Sequence, residues 1–351
     1  MRIVHAVRSD GFAGVERHVS RLAAGQRAAG HDVTVIGGDP GAMAGAVGRP
    51  DVRLVPAADT VWSVAAALRT YGPGADVLHA HMTAAELAAA FARLTGARLP
   101  PVVTTRHFGA PRGSGVLGRP VAAVARRTVR AQIAISRYVA ANVDGPATVV
   151  YPGVPLPDAV PAAAARSRRV LVVQRLEPEK FTDVAVAAFA ASGLAGDGWE
   201  LVVAGAGSLR PALETQAKAL GLAAVRFLGH VADVDPLMDD AAVLVAPTPG
   251  EGLGLSVLEA LSHGLPVVAA GSGGYAETLA DLAPDALFPP GDAAAAGAAL
   301  RRLALDEAAR ARYAEDARER VRERFTVDAQ VASTDSVYRR VLRPPAPREA
   351  R

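Results

Sequence analysis

Short apolar runs rich in Val and Ile recur through the first half of the chain, at Arg2 to Val7, Asp32 to Gly37, Val52 to Val55, Asp76 to His81, Pro101 to His107, Ala131 to Ser136 and Thr148 to Tyr151. Between them lie Ala-rich stretches of helical period. Runs this continuous predict strands buried on both faces, and their alternation with helices predicts a parallel sheet covered by helices. After the low-complexity stretch Pro157 to Arg169 the series restarts, with Val170 to Arg175, Leu201 to Gly205, Val225 to Gly229, Ala242 to Pro247 and Pro266 to Ala270. The pattern predicts α/β domains over 1–160 and 161–325. The segment 326–351 follows, with helical character from Phe325 to Arg343 and a proline-rich tail expected to be disordered. No repeat relates the two halves. In doubly wound sheets ligands sit beyond the carboxyl ends of the strands, so chemistry is expected in the loops that follow these runs.

Length agrees with this division, since 351 residues suit two domains of about 150 each, with a cleft expected between them. Cysteine is absent, which excludes disulfides, thiolate zinc sites and thiol redox chemistry and fits a reducing compartment. No His/Asp cluster stands at ligand spacing along the sequence, so no metal is expected. The chain opens directly on a strand and contains neither a signal-peptide pattern nor an apolar run of about 18 residues, so a soluble, cytoplasmic protein is expected.

Charge changes the picture in one place. The net charge is +3, yet the chain has only two lysines, Lys180 and Lys218, so its positive charge is nearly all arginine. From Leu87 to Val143 there is no acidic residue, while Arg93, Arg98, Arg106, Arg112, Arg119, Arg126, Arg127, Arg130 and Arg137 accumulate. Such a field attracts anions: the inner face of an anionic membrane, a lipid-linked polyprenyl phosphate or a phosphorylated acceptor. A merely solvated arginine-rich face explains it equally well. Nucleic acid is not expected, since no aromatic residues interleave with a recognition motif.

The most informative segment is Pro247-Thr248-Pro249-Gly250-Glu251-Gly252-Leu253-Gly254-Leu255-Ser256-Val257-Leu258-Glu259-Ala260. It reads as a strand end, a glycine-rich loop and a helix. Glycines let backbone amides approach a ligand and the helix start favours an anion, which together suit a diphosphate. A carboxylate at Glu259 can accept two hydrogen bonds from vicinal ribose hydroxyls. The bland alternative makes Glu251 a helix-start acid and Glu259 a solvated helical residue. This segment resembles the signature of the family-4 retaining glycosyltransferases of GT-B fold, in which two glutamates are separated by seven residues. Leu253 stands for the family's usual Phe, and Gly273-Gly274-Tyr275-Ala276-Glu277 is similar to its later glycine turn. The resemblance implies two Rossmann-like doubly wound domains facing a central cleft, with the C-terminal helix of 326–351 crossing back onto the first domain. It further implies that Glu251 contacts the transferred sugar, that Gly252, Leu253, Gly254 and Leu255 bind the diphosphate, and that Glu259 holds the ribose.

Other segments carry the same resemblance. Gln174-Arg175-Leu176-Glu177-Pro178-Glu179-Lys180 is similar to the family's phosphate-clamping segment, which assigns Arg175 and Lys180 to the leaving diphosphate. Gln174 and Phe181 replace usual glycines there, and an ion pair of the cations with Glu177 or Glu179 is the structural alternative. Gly205 and Gly207 match a strand-end Gly-x-Gly beside the nucleotide, and Arg210 in place of a third glycine argues against a nicotinamide fingerprint. Gly229-His230-Val231 fits the loop lining the base pocket. In the first half, Gly11 to Arg17 is similar to the Gly-Gly-x-Glu loop, with Ala13 for the first glycine. Gly14 is thereby placed by the donor and Glu16 on the acceptor side. His107, at a strand end, is the candidate that reaches toward the donor sugar, with neighbouring Arg106 on the acceptor side. His79 and His81 read as packing or supporting residues. Asp233-Val234-Asp235 resembles a metal-binding Asp-x-Asp but precedes Pro236, so a helix start explains it better.

The implied reaction moves a hexosyl group from a nucleoside diphosphate to a hydroxyl with retention, without a resident cofactor. The acceptor is left open among lipid-linked, phosphorylated and small glycoside classes. A nucleotide-sugar 2-epimerase and a non-catalytic nucleotide-sugar-binding protein are the rival readings.

Overall fold

A computed structural model describes residues 1–56, 59–113 and 118–343. The chain divides into two compact units, one formed by Met1–Gly153 together with the chain from Val327 onward, the other by Val154–Thr326. The crossing at Gly153 comes ahead of the expected residue 160. The physical reason is local: Val154 bridges to Thr326, its amide donates to Phe325 O at 2.9 Å, and Arg318 donates to Pro157 O at 2.8 Å, which ties this stretch to the second unit. The proline-rich tail after Arg343 lies outside the described residues.

The first unit holds β1 (Arg2–Val7), β2 (Asp32–Ile36), β3 (Arg53–Val55), β4 (Val77–His81), β5 (Val102–Arg106), β6 (Val129–Ala134) and β7 (Thr148–Val149), in the spatial order β3-β2-β1-β4-β5-β6-β7. The second holds β8 (Ser167–Val173), β9 (Glu200–Ala204), β10 (Val225–Gly229), β11 (Ala241–Ala246), β12 (Val267–Ala270) and β13 (Leu287–Phe288), in the order β10-β9-β8-β11-β12-β13. Every strand pairing in both sheets is parallel. Strand order reverses beside β1 and beside β8, so β1/β4 and β8/β11 are the switch points at whose carboxyl ends ligands of doubly wound sheets sit.

Alternation along the strands divides the first core between two faces. Val4, Ala6, Leu78, Ala80 and Val102 pack under helices Val61–Tyr71 and Met82–Leu94. Ile3, Val77, Val103 and Ile133 face the other way and meet Val337 and Tyr338 of the last helix, Val327–Leu342. That helix also crosses Gly14–Ala28 at Gly25, where a Cβ would stand 2.7 Å from Val327 Cγ1. In the second unit the sheet residues Val170, Val203, Val243 and Val267 are fully buried. Helices Thr182–Ser192 and Ala293–Leu305 approach so closely that a Cβ on Gly297 would lie 2.7 Å from Ala188 O. Among the described residues no helix is long and apolar enough to cross a membrane.

Candidate functional site

In the second unit, β8 runs out into Gln174 and Arg175 and its neighbour β11 into Pro247 and Thr248. Lys180 Nζ donates to Glu251 Oε2 at 2.6 Å, and each side chain keeps 18% of its surface exposed. Their backbones are fixed from below. Gln174 Nε2 donates to Lys180 O and to Thr182 Oγ1, both at 2.9 Å, while Thr248 Oγ1 lies 3.1 Å from Gln174 Oε1 and 3.2 Å from Lys180 O. Gln174 therefore stitches the two loops together. Phe181 adopts a left-handed conformation with φ +52°, a geometry that costs a residue with a Cβ about 1 kcal/mol. The loop keeps the backbone shape expected of glycine although the glycine is gone.

The Glu251 loop is held by the turn after β12. Gly274 N donates to Glu251 O at 2.8 Å. A Cβ on Gly274 would stand 2.3 Å from Leu253 Cα, and one on Gly273 2.7 Å from Glu251 O. Gly254 has φ +89°, and a Cβ there would meet Tyr275 Cε1 at 2.3 Å. Helix Leu255–Ser262 starts at the next residue, so the loop delivers Glu251 beside a helix N-terminus. Glu259, inside that helix, is 5% exposed, which rules out the solvated reading. Burial pushes the Tyr275 phenol well up, and the nearby Glu251 carboxylate adds to this. Arg175 pairs with Glu179 at 2.7 Å on an exposed surface, the structural alternative named above. Glu177 instead accepts from the Ser208 amide and hydroxyl.

In the first unit, sheet register gathers histidines. His5 stands opposite His79 and Val7 opposite His81 in the β1/β4 ladder, while His81 stands opposite Thr105 in β4/β5. His5, His79 and His81 thus share one face, at the carboxyl end of the switch point, and His18 of helix Gly14–Ala28 and His107 join them. His5 Nδ1 lies 3.0 Å from His81 Nε2, and His81 Nδ1 lies 3.3 Å from His107 Nε2. His5 Nε2 meets Gln26 Oε1 at 2.7 Å, and His79 bridges Tyr338 OH at 2.6 Å and Thr105 Oγ1 at 2.7 Å. Burial lowers every one of these rings, His5 to about 4 and His107 to about 3, the latter helped by the Arg106 charge. His18, His79 and His81 fall well below the ordinary range through burial and their mutual proximity.

This corrects the expectation that histidines form no cluster at ligand spacing. One ring nitrogen each of His5, His79 and His81, and likewise of His18, His81 and His107, lie within 4.8 Å of one another. These are the groups among the described residues that could hold a metal ion. Linear spacing hid them because the register of three strands, not sequence proximity, assembles them.

Both halves have known relatives. A family model described as Glycosyl transferases group 1 matches residues 158–320, and one described as Glycosyltransferase Family 4 matches residues 12–157. A protein named glycogen synthase from Mycobacterium tuberculosis is 32% identical over 390 aligned residues, covering 95% of this chain and 94% of its own. The chain belongs to the GT-B glycosyltransferases. A GDP-mannose-dependent phosphatidylinositol dimannoside mannosyltransferase from the same species is 40% identical across 27% of this chain and 25% of its own. The fold of this glycosyltransferase is similar to that of Anabaena HepE in complex with UDP and glucose. There the TM-score is 0.78 at 20% identity, over 96% of this chain and 99% of that one.

Several expected site residues of the glycosyltransferase have structural duties. A Cβ on Gly205 would stand 1.8 Å from Gln174 O and one on Gly207 2.3 Å from Leu176 O, so both glycines are required by the loop beneath them. Glu16 Oε2 accepts the Ala13 amide at 2.9 Å and closes the first turn of its helix. Arg106, expected on the acceptor side, is 5% exposed and spends its guanidinium on Asp144 at 3.1 Å and Ala110 O at 2.7 Å. Arg112 is likewise held between Glu86 and Asp144. Burial alone would raise Asp144, but the Arg112 amide and the two guanidinium groups hold it at about 2. The arginine field is therefore partly neutralised inside the unit. Arg98, Arg126, Arg127, Arg130 and Arg137 remain exposed, and the Arg119 side chain lies outside what is described. His230 is exposed. Asp233 Oδ1 accepts the Asp235 amide at 3.1 Å just before helix Asp235–Asp240, in keeping with a helix start.

Sequence reasoning missed His5 and His18 as site residues, and Gln26, Gln330 and Tyr338 as their partners. One signal was available: His5, His79 and His81 occupy alternate positions of their strands, one parity shared with Ile3 and Val77.

Proposed function

We propose that the chain is a retaining, family-4 enzyme that transfers a hexosyl group from a nucleoside diphosphate to an acceptor hydroxyl without an essential metal. The carrying observation is the Lys180–Glu251 pair at 2.6 Å, set at the β8/β11 switch point beside a glycine loop and a helix start. In this reading the amides of Gly252 to Leu255 take the diphosphate, Glu259 accepts from the ribose, and Glu251 contacts the sugar. Lys180, with Arg175 once released from Glu179, neutralises charge as the bond between the anomeric carbon and the phosphate oxygen breaks. The acceptor oxygen bonds the anomeric carbon on the same face, and its proton passes to the departing phosphate oxygen. Gly14, Gly205, Gly207, His230 and Val231 complete the donor side by resemblance, and His107 meets the sugar. The HepE complex with UDP-glucose and the name of the GDP-mannose-dependent mannosyltransferase make UDP-glucose and GDP-mannose the first donors to try.

The acceptor reading rests on surface charge: the exposed arginines of the first unit favour an anionic acceptor, lipid-linked or phosphorylated, at an anionic membrane surface. A cavity of about 650 Å³ in that unit, lined by Asp10, Gly38, Asp59, Ser63 and Thr70, offers carboxylates and hydroxyls to a sugar acceptor instead.

Donor consumption by purified variants tests the donor reading. Glu251→Ala and Lys180→Ala are each expected to lose about 10²-fold or more in kcat with unchanged melting temperature, and Asp233→Ala to lose nothing. Full activity in the first two overturns the assignment, and recovery of the sugar as its epimer instead of a glycoside selects the isomerase reading.

A further inference from the structure

The first sheet ends at its β6/β7 edge, where a cavity of about 280 Å³ opens against the last turns of helix Val327–Leu342. Arg130, Pro146 and Thr148 line it from the sheet side, and Val337, Arg340 and Val341 line it from the helix. All of these residues belong to the first unit. Arg130 stands near the start of β6 and Thr148 at the start of β7, so the cavity lies at the amino ends of these strands. Substrates of doubly wound sheets bind beyond the carboxyl ends, and this cavity is therefore separate from the sites described above.

Internal hydrogen bonds shape its wall. Gln132, 8% exposed, donates from Nε2 to Asp144 O at 3.1 Å and to Gly145 O at 3.4 Å, which fixes the turn leading into Pro146. Arg106 and Arg112, from the same arginine-rich stretch, spend their charge on Asp144 and Glu86. Arg130 does not, since it has neither a hydrogen bond nor an ion pair among the described residues. Arg340 donates from Nη2 to Thr148 Oγ1 at 3.2 Å, from the helix to the sheet. Accepting there, the Thr148 hydroxyl keeps its own proton free to donate. No acidic side chain among the described residues lines the cavity, so two guanidinium charges border it uncompensated. The helix dipole is negative at this end, but it amounts to about half an elementary charge against two.

We infer that this cavity is a phosphate-ester site whose occupant fastens helix Val327–Leu342 to the sheet edge. A phosphate monoester brings nearly two negative charges and three acceptor oxygens, which match two guanidinium forks and a hydroxyl proton. A carboxylate fills only part of that donor set, and a cation is repelled by it. Val337, Val341 and Pro146 leave an apolar wall for a small body carried on the ester oxygen. Because the bridge runs from Arg130 of the sheet to Arg340 of the helix, occupancy stabilises the docked helix. A soluble phosphate ester and a lipid headgroup share this chemistry.

Titration of the full-length protein with phenyl phosphate at fixed ionic strength, read as amide exchange at Val337 and Tyr338, tests this without turnover and independently of the function proposed above. At ten times its Kd, a ligand held only while the helix is docked is expected to slow exchange about tenfold. Sodium chloride of equal ionic strength is expected to leave exchange unchanged. Arg130→Gln and Arg340→Gln are each expected to weaken phenyl phosphate binding about tenfold or more, with the native melting temperature in the absence of ligand. Flotation with phosphatidylcholine vesicles containing phosphatidic acid then separates the two sources. Vesicle binding that both substitutions weaken identifies a lipid headgroup, and vesicle binding that neither alters, or no vesicle binding, identifies a soluble ester. No slowing by phenyl phosphate, equal slowing by chloride, or native affinity in both variants overturns the inference.

Discussion

Lys180 and Glu251 lie far apart in sequence and meet at 2.6 Å because three flanking residues pin their backbones. Gln174 and Thr248 do this with side chains, and Gly254 does it by having none. Gly254→Ala would put a Cβ against the Tyr275 ring at 2.3 Å with φ at +89°. It is expected to destabilise the protein by about 2 kcal/mol or more, read as a lower urea midpoint with the same slope. An unchanged midpoint would mean that the loop yields freely and does not hold Glu251. At this scale the glycine and glutamate pattern was legible, since the motif residues are local. The reason for Gly205 and Gly207 was not, because the backbone they touch belongs to the preceding βα loop and only folding brings it near. The partners of Arg106 were hidden for a related cause: Asp144 and Ala110 come near it only once the segment after helix Arg137–Asn142 and the turn after β5 are placed.

Continuous apolar runs gave away twelve strands because strands covered on both faces need no polar alternation. The two-residue β13 carries no such run and escaped notice. The last helix was visible as a helix from its periodicity, but its return to the first unit was expected only from the family resemblance, because it depends on contacts that no periodicity encodes. One of them is testable. Gly25 lets Val327 and Val331 approach, with an added Cβ 2.7 and 2.8 Å from their methyl carbons. Gly25→Val is expected to loosen helix Val327–Leu342, raising amide exchange at Val337 and Tyr338 by tenfold or more, about 1.4 kcal/mol of local stability. Exchange like that of the native protein would show that the crossing has slack.

At the scale of the molecule, five histidines buried as neutral rings make stability depend on pH. Unfolded histidine titrates near 6.5, whereas His5 falls to about 4 and His107 to about 3. Below about 6.5 the unfolded chain binds protons that the folded chain refuses, so stability is complete above that pH and is lost as pH falls toward 4. Each ring contributes up to about 1.4 kcal/mol per pH unit in that window. A flat melting temperature from pH 7 to 5 would show that the rings are protonated in the folded protein or reached by water.

The most direct test of the central claim is nucleotide binding by the second unit, followed as thermal stabilisation in the presence of EDTA. A ligand held only by the folded protein raises its stability by about 2.7 kcal/mol at a hundred times Kd. UDP, GDP, ADP and TDP are compared on the native protein and on Lys180→Ala and Glu259→Ala. One nucleotide is expected to raise the native melting temperature without metal, with a clearly smaller rise in both variants. No rise with any nucleotide, or an equal rise in all three proteins, would contradict the placement of a nucleoside-diphosphate site on the Glu251 to Glu259 loop and helix.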